Sequence, residues 1–173
     1  MKKGGMNTSS RQRRALLAAA VSTLALAGCG FELRRAPVFA FKSLAVPGSS
    51  AFVNSLRRQF RAAGNVELVP PEEQARADAI LDVLSENRGT VVLSTNSAGQ
   101  VRELQLRLVM RIRLRTPAGK ELLAPTQIEQ FRDITYNETA ALAKESETEL
   151  LYRDMQNDIA QQTMRRLAAV KSL

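Results

Sequence analysis

Between Glu103 and Arg115 an apolar side chain recurs at every second position. Leu104, Leu106, Leu108, Met110, Ile112 and Leu114 alternate with Glu103, Gln105, Arg107, Val109, Arg111, Arg113 and Arg115. Successive side chains of a strand point to opposite faces, so this pattern predicts one buried face and one polar face over more than ten residues. A sheet with a single apolar face must be covered, and amphipathic helices are the usual cover. Thr116-Pro-Ala-Gly-Lys120 follows as a hairpin turn, with Gly119 free to adopt a positive φ. Glu121 to Tyr136 returns as the partner strand, with Ile128, Ile134 and Tyr136 on one parity and Pro125 predicting a bulge or an edge.

The covering elements can be read on either side of this hairpin. Ser49 or Ser50 offers an N-cap for a helix running to Ala63, which places Phe52, Leu56, Phe60 and Ala63 on one face. Arg57, Arg58 and Arg61 fall largely outside that face, and Gly64-Asn65 forms a left-handed C-cap. From about Thr139 to Val170, Leu151, Met155, Ile159, Thr163, Leu167 and Val170 trace the seam of a long second helix. Its acids Glu145, Glu147 and Glu149 precede its bases Arg165, Arg166 and Lys171, in keeping with the helix dipole. Phe39 to Val46 reads as a first strand and Val66 to Val69 as a short extended piece. Glu72 to Arg76 is at most one helical turn. Ala79 to Leu84 is a further strand, interrupted near Asn87–Gly89 before Thr90 to Leu93. The expected fold is an α+β two-layer sandwich, two helices on a mostly antiparallel (mixed) sheet of about four strands.

The N-terminus carries a different kind of signal. Lys2, Lys3, Arg11, Arg13 and Arg14 precede the apolar run Ala15 to Ala27, which is too short to span a bilayer. Leu26-Ala27-Gly28-Cys29 then matches a lipobox, and Cys29 is the only cysteine of the chain. Residues 1–28 are therefore expected to be a removed lipoprotein signal peptide, residues 29–38 a tether lipidated on Cys29, and residues 39–173 a single domain. Removing five of the 25 basic residues and none of the 17 acidic ones lowers the net charge from +8 to +3. Most of the basicity thus belongs to the export signal, and nucleic acid is not the expected partner. With no histidine and one lipid-bearing cysteine, imidazole- or thiolate-based catalysis and metal binding have no residues to use. No glycine-rich phosphate loop is present. Glu129 and Asp133 could be paired as glycosidase carboxylates, but beside an arginine-rich strand they read as cross-strand ion pairs. The chain is expected to be a binding protein without cofactors.

Several short segments resemble the LPS-assembly lipoproteins (LptE), in that family's order. They are Gly30-Phe-Glu-Leu-Arg34 after the lipobox, Gly99-Gln-Val-Arg-Glu103 entering the long strand, and Phe131-Arg132 on the next. Ala141-Leu-Ala-Lys144, Leu151-Tyr-Arg-Asp-Met155 and Arg165-Arg-Leu167 follow on the long helix. The resemblance implies an outer-membrane lipoprotein that binds lipopolysaccharide and plugs the LPS-translocating β-barrel (LptD) in a one-to-one complex, delivering lipopolysaccharide to the outer leaflet. Gly30 after the cysteine, in place of aspartate, agrees with an outer-membrane address. A pilot or adaptor lipoprotein for a secretion or pilus channel, without a lipid ligand, is the alternative.

The resemblance also assigns a glycolipid-contacting lysine to Lys144. A loop-to-helix junction favours phosphate through its free N–H groups and the positive end of the dipole. The competing reading is a surface lysine satisfied by Glu145, Glu147 or Thr148. Arg107, Arg111, Arg113 and Arg115 share one parity of the long strand. They suit lipid phosphates or acidic residues on a barrel wall, or else ion pairs with Glu121, Glu129 or Asp133. Some relatives carry a base in the turn before that strand; here it is Ser97-Ala98-Gly99, leaving Arg88 and Arg102 as the nearest cations.

Overall fold

The computed structural model describes residues 37–137 and 141–173. Cys29 and the signal segment lie outside the described residues, as does Thr139. In chain order the elements are β1 (Ser43–Ala45), α1 (Ala51–Ala63), β2 (Glu67–Val69) and a 3₁₀ turn (Pro71–Arg76). Then come β3 (Ala79–Thr95), β4 (Val101–Arg115), β5 (Glu121–Thr135) and α2 (Ala141–Ala168). The five strands form one sheet in the order β2-β1-β3-β4-β5. β1 runs parallel to both β2 and β3, and β3, β4 and β5 are antiparallel.

The inward row of β4 is the floor of the core. Leu106, Leu108, Met110, Ile112 and Leu114 are at most 1% exposed. Phe52, Leu56 and Phe60 of α1 and Met155, Ile159 and Leu167 of α2 pack over them from the same side. α1 starts where Ser50 Oγ accepts from the Val53 N–H at 3.2 Å, and stops at Gly64, whose φ of 68° is open to glycine without strain. Ser55 Oγ donates to Asn157 Oδ1 at 3.0 Å and ties the two helices together. Asp78 stitches β1 to the start of β3. Its carboxylate accepts from the N–H groups of Lys42 and Ser43, and its own N–H donates to Ser43 Oγ.

Five strands are present where about four were expected, because Glu67–Val69 pairs in parallel with β1. The first strand is shorter than Phe39–Val46. Phe39 instead stacks on Phe41 with ring centroids 5.2 Å apart and leans on Phe60 at 5.6 Å. No break occurs at Asn87–Gly89; β3 pairs with β4 through that segment, and Gly89 lies opposite Arg107. A Cβ on Gly89 would meet nothing within 4 Å, so this glycine is not a steric requirement. Pro125 marks both an edge and a bulge: β5 is the outermost strand, and the pairing slips between Ile112–Thr126 and Leu114–Leu123.

A second slip matters more. Val83 pairs with Ile112 and Ser85 with Arg111, so Leu84 is an extra residue in β3. The bulge inverts the parity of everything after it. Asp82 stays on the face away from the helices, while Glu86 and Arg88 turn towards α2. There Glu86 accepts from Gln156 at 3.0 Å, and the Arg88 guanidinium lies 4.7 Å from the Tyr152 ring centre.

The two faces of β4 should differ sharply in stability. Leu108→Ala removes a fully buried side chain and should cost about 3 kcal/mol, whereas Val109→Ala on the opposite face should cost about 1 kcal/mol or less. Urea unfolding of both variants measures this; equal losses would contradict the assigned parity.

Candidate functional site

On the side of the sheet turned away from the helices, Ile80 at the start of β3 is buried in a small cluster with Ala45 and Ala77, whereas most of the β4 and β5 residues are exposed or half-buried. Along β4 this side presents Gln105, Arg107, Val109, Arg111, Arg113 and Arg115, and along β5 Gln127, Glu129, Phe131, Asp133 and Thr135. Phe131 is 59% exposed and stands opposite Arg107; Val91 and Leu93 of β3 are exposed as well. The surface therefore interleaves guanidinium groups with apolar side chains.

The four arginines are not equivalent. Arg113 Nη2 and Arg115 Nε both donate to Asp82 Oδ2 at 2.8 Å, so one carboxylate on β3 holds two guanidinium groups. The expected partners Glu121, Glu129 and Asp133 make no ion pair with them among the described residues. Asp133 accepts from Gln105 instead, and Glu129 lies opposite Val109. Glu129 and Asp133, four residues apart on one strand, are separated by about 13 Å, too far for paired glycosidase carboxylates. Arg107 Nε donates to Gln105 Oε1 at 2.8 Å, and Arg111 is exposed. Neither is paired with a carboxylate among the described residues. Arg107 and Arg111 are thus the two open cations of this face.

Lys144 and Arg102 lie elsewhere, at the end of the sheet where β4 begins and β5 ends. Lys144 follows the junction segment and occupies the first turn of α2. Four-residue steps from it reach Thr148 and Tyr152, so it heads the stripe that faces the sheet. Its ammonium donates to Glu147 at 2.7 Å and to Thr135 Oγ1 at 3.4 Å, and its side chain is only 20% exposed. The local contact to Glu147 is therefore present, but the lysine points along the sheet rather than into open solvent. Arg102 is the extra residue of a slip between Ser94–Glu103 and Thr95–Val101, and its carbonyl accepts from the Tyr136 N–H at 2.7 Å. It has no ion-pair partner among the described residues. Half-buried Leu104 and exposed Val92 and Leu142 lie on the elements meeting at this end.

Arg88 was only a neighbour in the sequence pattern, and the bulge makes it a brace. It bonds Glu149 of α2 at 3.2 Å and covers the Tyr152 ring, whose hydroxyl donates to Gly89 O at 2.8 Å. Arg132 on β5 similarly reaches Asp158 at 2.6 Å. The Arg88 pair holds the N-terminal half of α2 to the sheet, and the Arg132 pair holds it just past its middle. No group of metal-ligating side chains is found among the described residues.

The described residues thus form a mixed sheet with two helices on one side and an arginine-bearing face on the other. Lipoprotein B from Nitrosomonas europaea is similar in structure, with a TM-score of 0.69 and 28% identity over 81% of this chain and 91% of that one. Rare lipoprotein B from Shewanella oneidensis shares the fold, with a TM-score of 0.63 at 24% identity over 73% of this chain and 94% of that one. The family described as LptE, lipopolysaccharide-assembly, matches residues 41–167. The LPS-assembly lipoprotein LptE of Yersinia enterocolitica is 31% identical over 92% of this chain and 78% of that protein. The chain belongs to the LptE family. It is a non-enzymatic lipopolysaccharide-assembly lipoprotein of the Gram-negative outer membrane.

The acid limb of stability should report the two carboxylate clamps. Burial pushes the Asp82 carboxyl up, but the hydrogen bonds and charges of Arg115 and Arg113 outweigh it and hold it below its ordinary value. At Asp78 the N–H groups of Lys42 and Ser43 do the same against a smaller push from burial. Both carboxyls are thus depressed in the folded state relative to about 3.8. Their contribution is complete above that value and is lost as pH falls through the lowered folded values. Asp82→Asn should cost about 1–2 kcal/mol at pH 7 and flatten the loss of stability below pH 4. Unfolding curves at pH 7 and pH 3 decide it; an unchanged pH slope would remove Asp82 from that role.

Proposed function

We propose that this chain binds lipopolysaccharide through its cationic surfaces while anchored by lipid on Cys29, and that it does so as the one-to-one partner of the translocating β-barrel LptD. The observation that carries the reading is the arginine-bearing sheet face, where Arg107 and Arg111 alternate with Val109 beside Phe131. An amphipathic glycolipid offers phosphates to the guanidinium forks and acyl chains to the apolar side chains. Arg113 contributes less, because its Nε and Nη2 already serve Asp82. Lys144 and Arg102 form a second phosphate contact at the end of the sheet. There the Lys144 ammonium can exchange Glu147 for a phosphate, since an i,i+3 pair along a helix contributes only a few tenths of a kcal/mol. Family membership supports the barrel as partner over a secretion or pilus channel.

Arg107→Gln with Arg111→Gln should weaken lipopolysaccharide binding roughly thirtyfold at low salt, given about 1 kcal/mol per basic group at an anionic lipid surface. Lys144→Asp should weaken it by a similar factor, and both deficits should shrink as ionic strength rises. Titration with lipopolysaccharide at two salt concentrations, beside unchanged circular dichroism, measures this. Wild-type binding in all variants would leave these residues as ordinary surface cations.

Anchoring is tested separately. Cys29→Ala should leave an uncleaved or periplasmic chain without acyl groups. Mass spectrometry of the mature N-terminus decides it, and an unmodified Cys29 within a longer wild-type chain would overturn the anchor.

A further inference from the structure

β5 is the outermost strand, and the phase of its pairing with β4 decides which of its backbone groups are left over. The Tyr136 N–H donates to Arg102 O at 2.7 Å. From there the register runs unbroken, from Glu103 opposite Thr135 to Ile112 opposite Thr126. Arg102 and Tyr136 are thus a hydrogen-bonded pair, and such pairs alternate with non-bonded ones along antiparallel strands. Leu104–Ile134, Leu106–Arg132, Leu108–Gln130 and Met110–Ile128 take the bonded places. The N–H and C=O groups of Gln127, Glu129, Phe131, Asp133 and Thr135 then point away from β4, to the edge of the sheet. All five residues are exposed. Beyond the slip at Pro125 this edge is regular from Thr126 to Thr135, a length of about 30 Å. Phe131 O accepts from Arg132 Nη1 at 2.8 Å, and Gln127 O from Arg166 Nη1 at 3.3 Å. A carbonyl has two lone pairs, so neither arginine closes its position to a second donor. No other hydrogen bond reaches these edge groups among the described residues.

The side chains of the same residues select the kind of strand that fits. Glu129 and Asp133 flank Phe131 at two-residue steps on the outer face, and Phe131 is 59% exposed. Neither acid forms an ion pair among the described residues: Glu129 stands opposite Val109, and Asp133 accepts from Gln105. Opposite charges are favoured directly across a strand pair, and an exposed ring favours an apolar neighbour. We infer that the Thr126–Thr135 edge of β5 takes an added strand, an extended segment of the partner barrel that is basic opposite Glu129 and Asp133 and apolar opposite Phe131. The inference rests on the barrel reading for the source of that segment. Main-chain hydrogen bonds fix the path of such a strand, and the acid–phenyl–acid row fixes its register. The outer face would then alternate in sign from strand to strand: Arg107 and Arg111 on β4, the two acids on β5, and bases on the added strand. Arg107 and Arg111 stay available to their own ligand.

Amide hydrogen exchange reads this edge directly. In the complex purified with the barrel, the amides of Glu129, Phe131 and Asp133 should exchange about tenfold or more slowly than in the isolated mature chain. Gln130 and Arg132, already bonded to β4, should be protected in both and serve as the internal reference. Phe131→Pro removes one outward N–H and leaves the β4 ladder whole, at a position where an edge strand accepts proline. Phe131→Ala keeps the N–H. Proline should return Glu129 and Asp133 to their isolated rates, whereas alanine should leave most of their protection. Glu129→Lys with Asp133→Lys should lower the protection at Phe131 several-fold. Wild-type edge amides that exchange in the barrel complex as they do in the isolated chain would overturn the added strand and leave the barrel reading standing. Protection indifferent to both the proline and the lysines would do the same. If no barrel accompanies the chain, the probe is the peptide Thr-Arg-Thr-Val-Thr-Arg-Thr added to the isolated chain. Slowed exchange at the same three amides then keeps the edge and rejects the barrel as its source, and unchanged exchange rejects both.

Discussion

Burial of one row of β4 side chains is the interaction on which the other features of the structure depend. Leu106, Leu108, Met110, Ile112 and Leu114 face α1 and α2 and are almost completely removed from water. At about 1.5–3 kcal/mol for each fully buried aliphatic side chain, this row alone contributes on the order of 10 kcal/mol. That is comparable with the whole net stability of a typical domain. Because strand side chains alternate strictly, committing these five to the core commits Arg107, Arg111, Arg113 and Arg115 to the other face. The cationic surface is thus a geometric consequence of the core.

A one-sided sheet needs its outer face and its edges managed. Asp82 neutralises part of the outer face by holding two guanidinium groups, which leaves charge concentrated at Arg107 and Arg111. The β5 edge is interrupted by the slip at Pro125, and the β2 edge is only three residues long. Short or bulged edges discourage pairing with stray strands. The exposed Phe131, Val91 and Leu93 then stand out as apolar groups with no cover of their own. A protein that handles an amphipathic glycolipid has use for such a surface.

The helix layer divides along the length of α2. From Tyr152 to Leu167 its inward stripe is largely apolar and buried, whereas Lys144 and Thr148, earlier on the same stripe, are polar and half-buried. The N-terminal half is held by discrete polar contacts: Lys144 to Thr135, Arg88 to Glu149 and Tyr152 to Gly89. Contacts of that kind can be exchanged for a ligand group at low cost, while a packed apolar seam cannot. The proposed glycolipid contact at Lys144 lies in this exchangeable half.

Local chemistry determined the local elements. The period-two run of β4, the Ser50 cap, the Gly64 stop, the turn at Gly119 and the long seam of α2 each depend on neighbours within a few residues, so the sequence by itself specified them. The lipobox and the ordered motifs also carried the family. Tertiary structure alone decided which strands pair: the parallel β2-β1-β3 unit joins segments with no marker of their partners. The bulge at Leu84 has no local signature, yet it turns Glu86 and Arg88 towards α2 and leaves Asp82 to meet Arg113 and Arg115. Charge partners across a sheet are chosen by register, and register is fixed by how the whole apolar face is covered. The sequence therefore named the cations, and only the packed sheet decided which of them stay open.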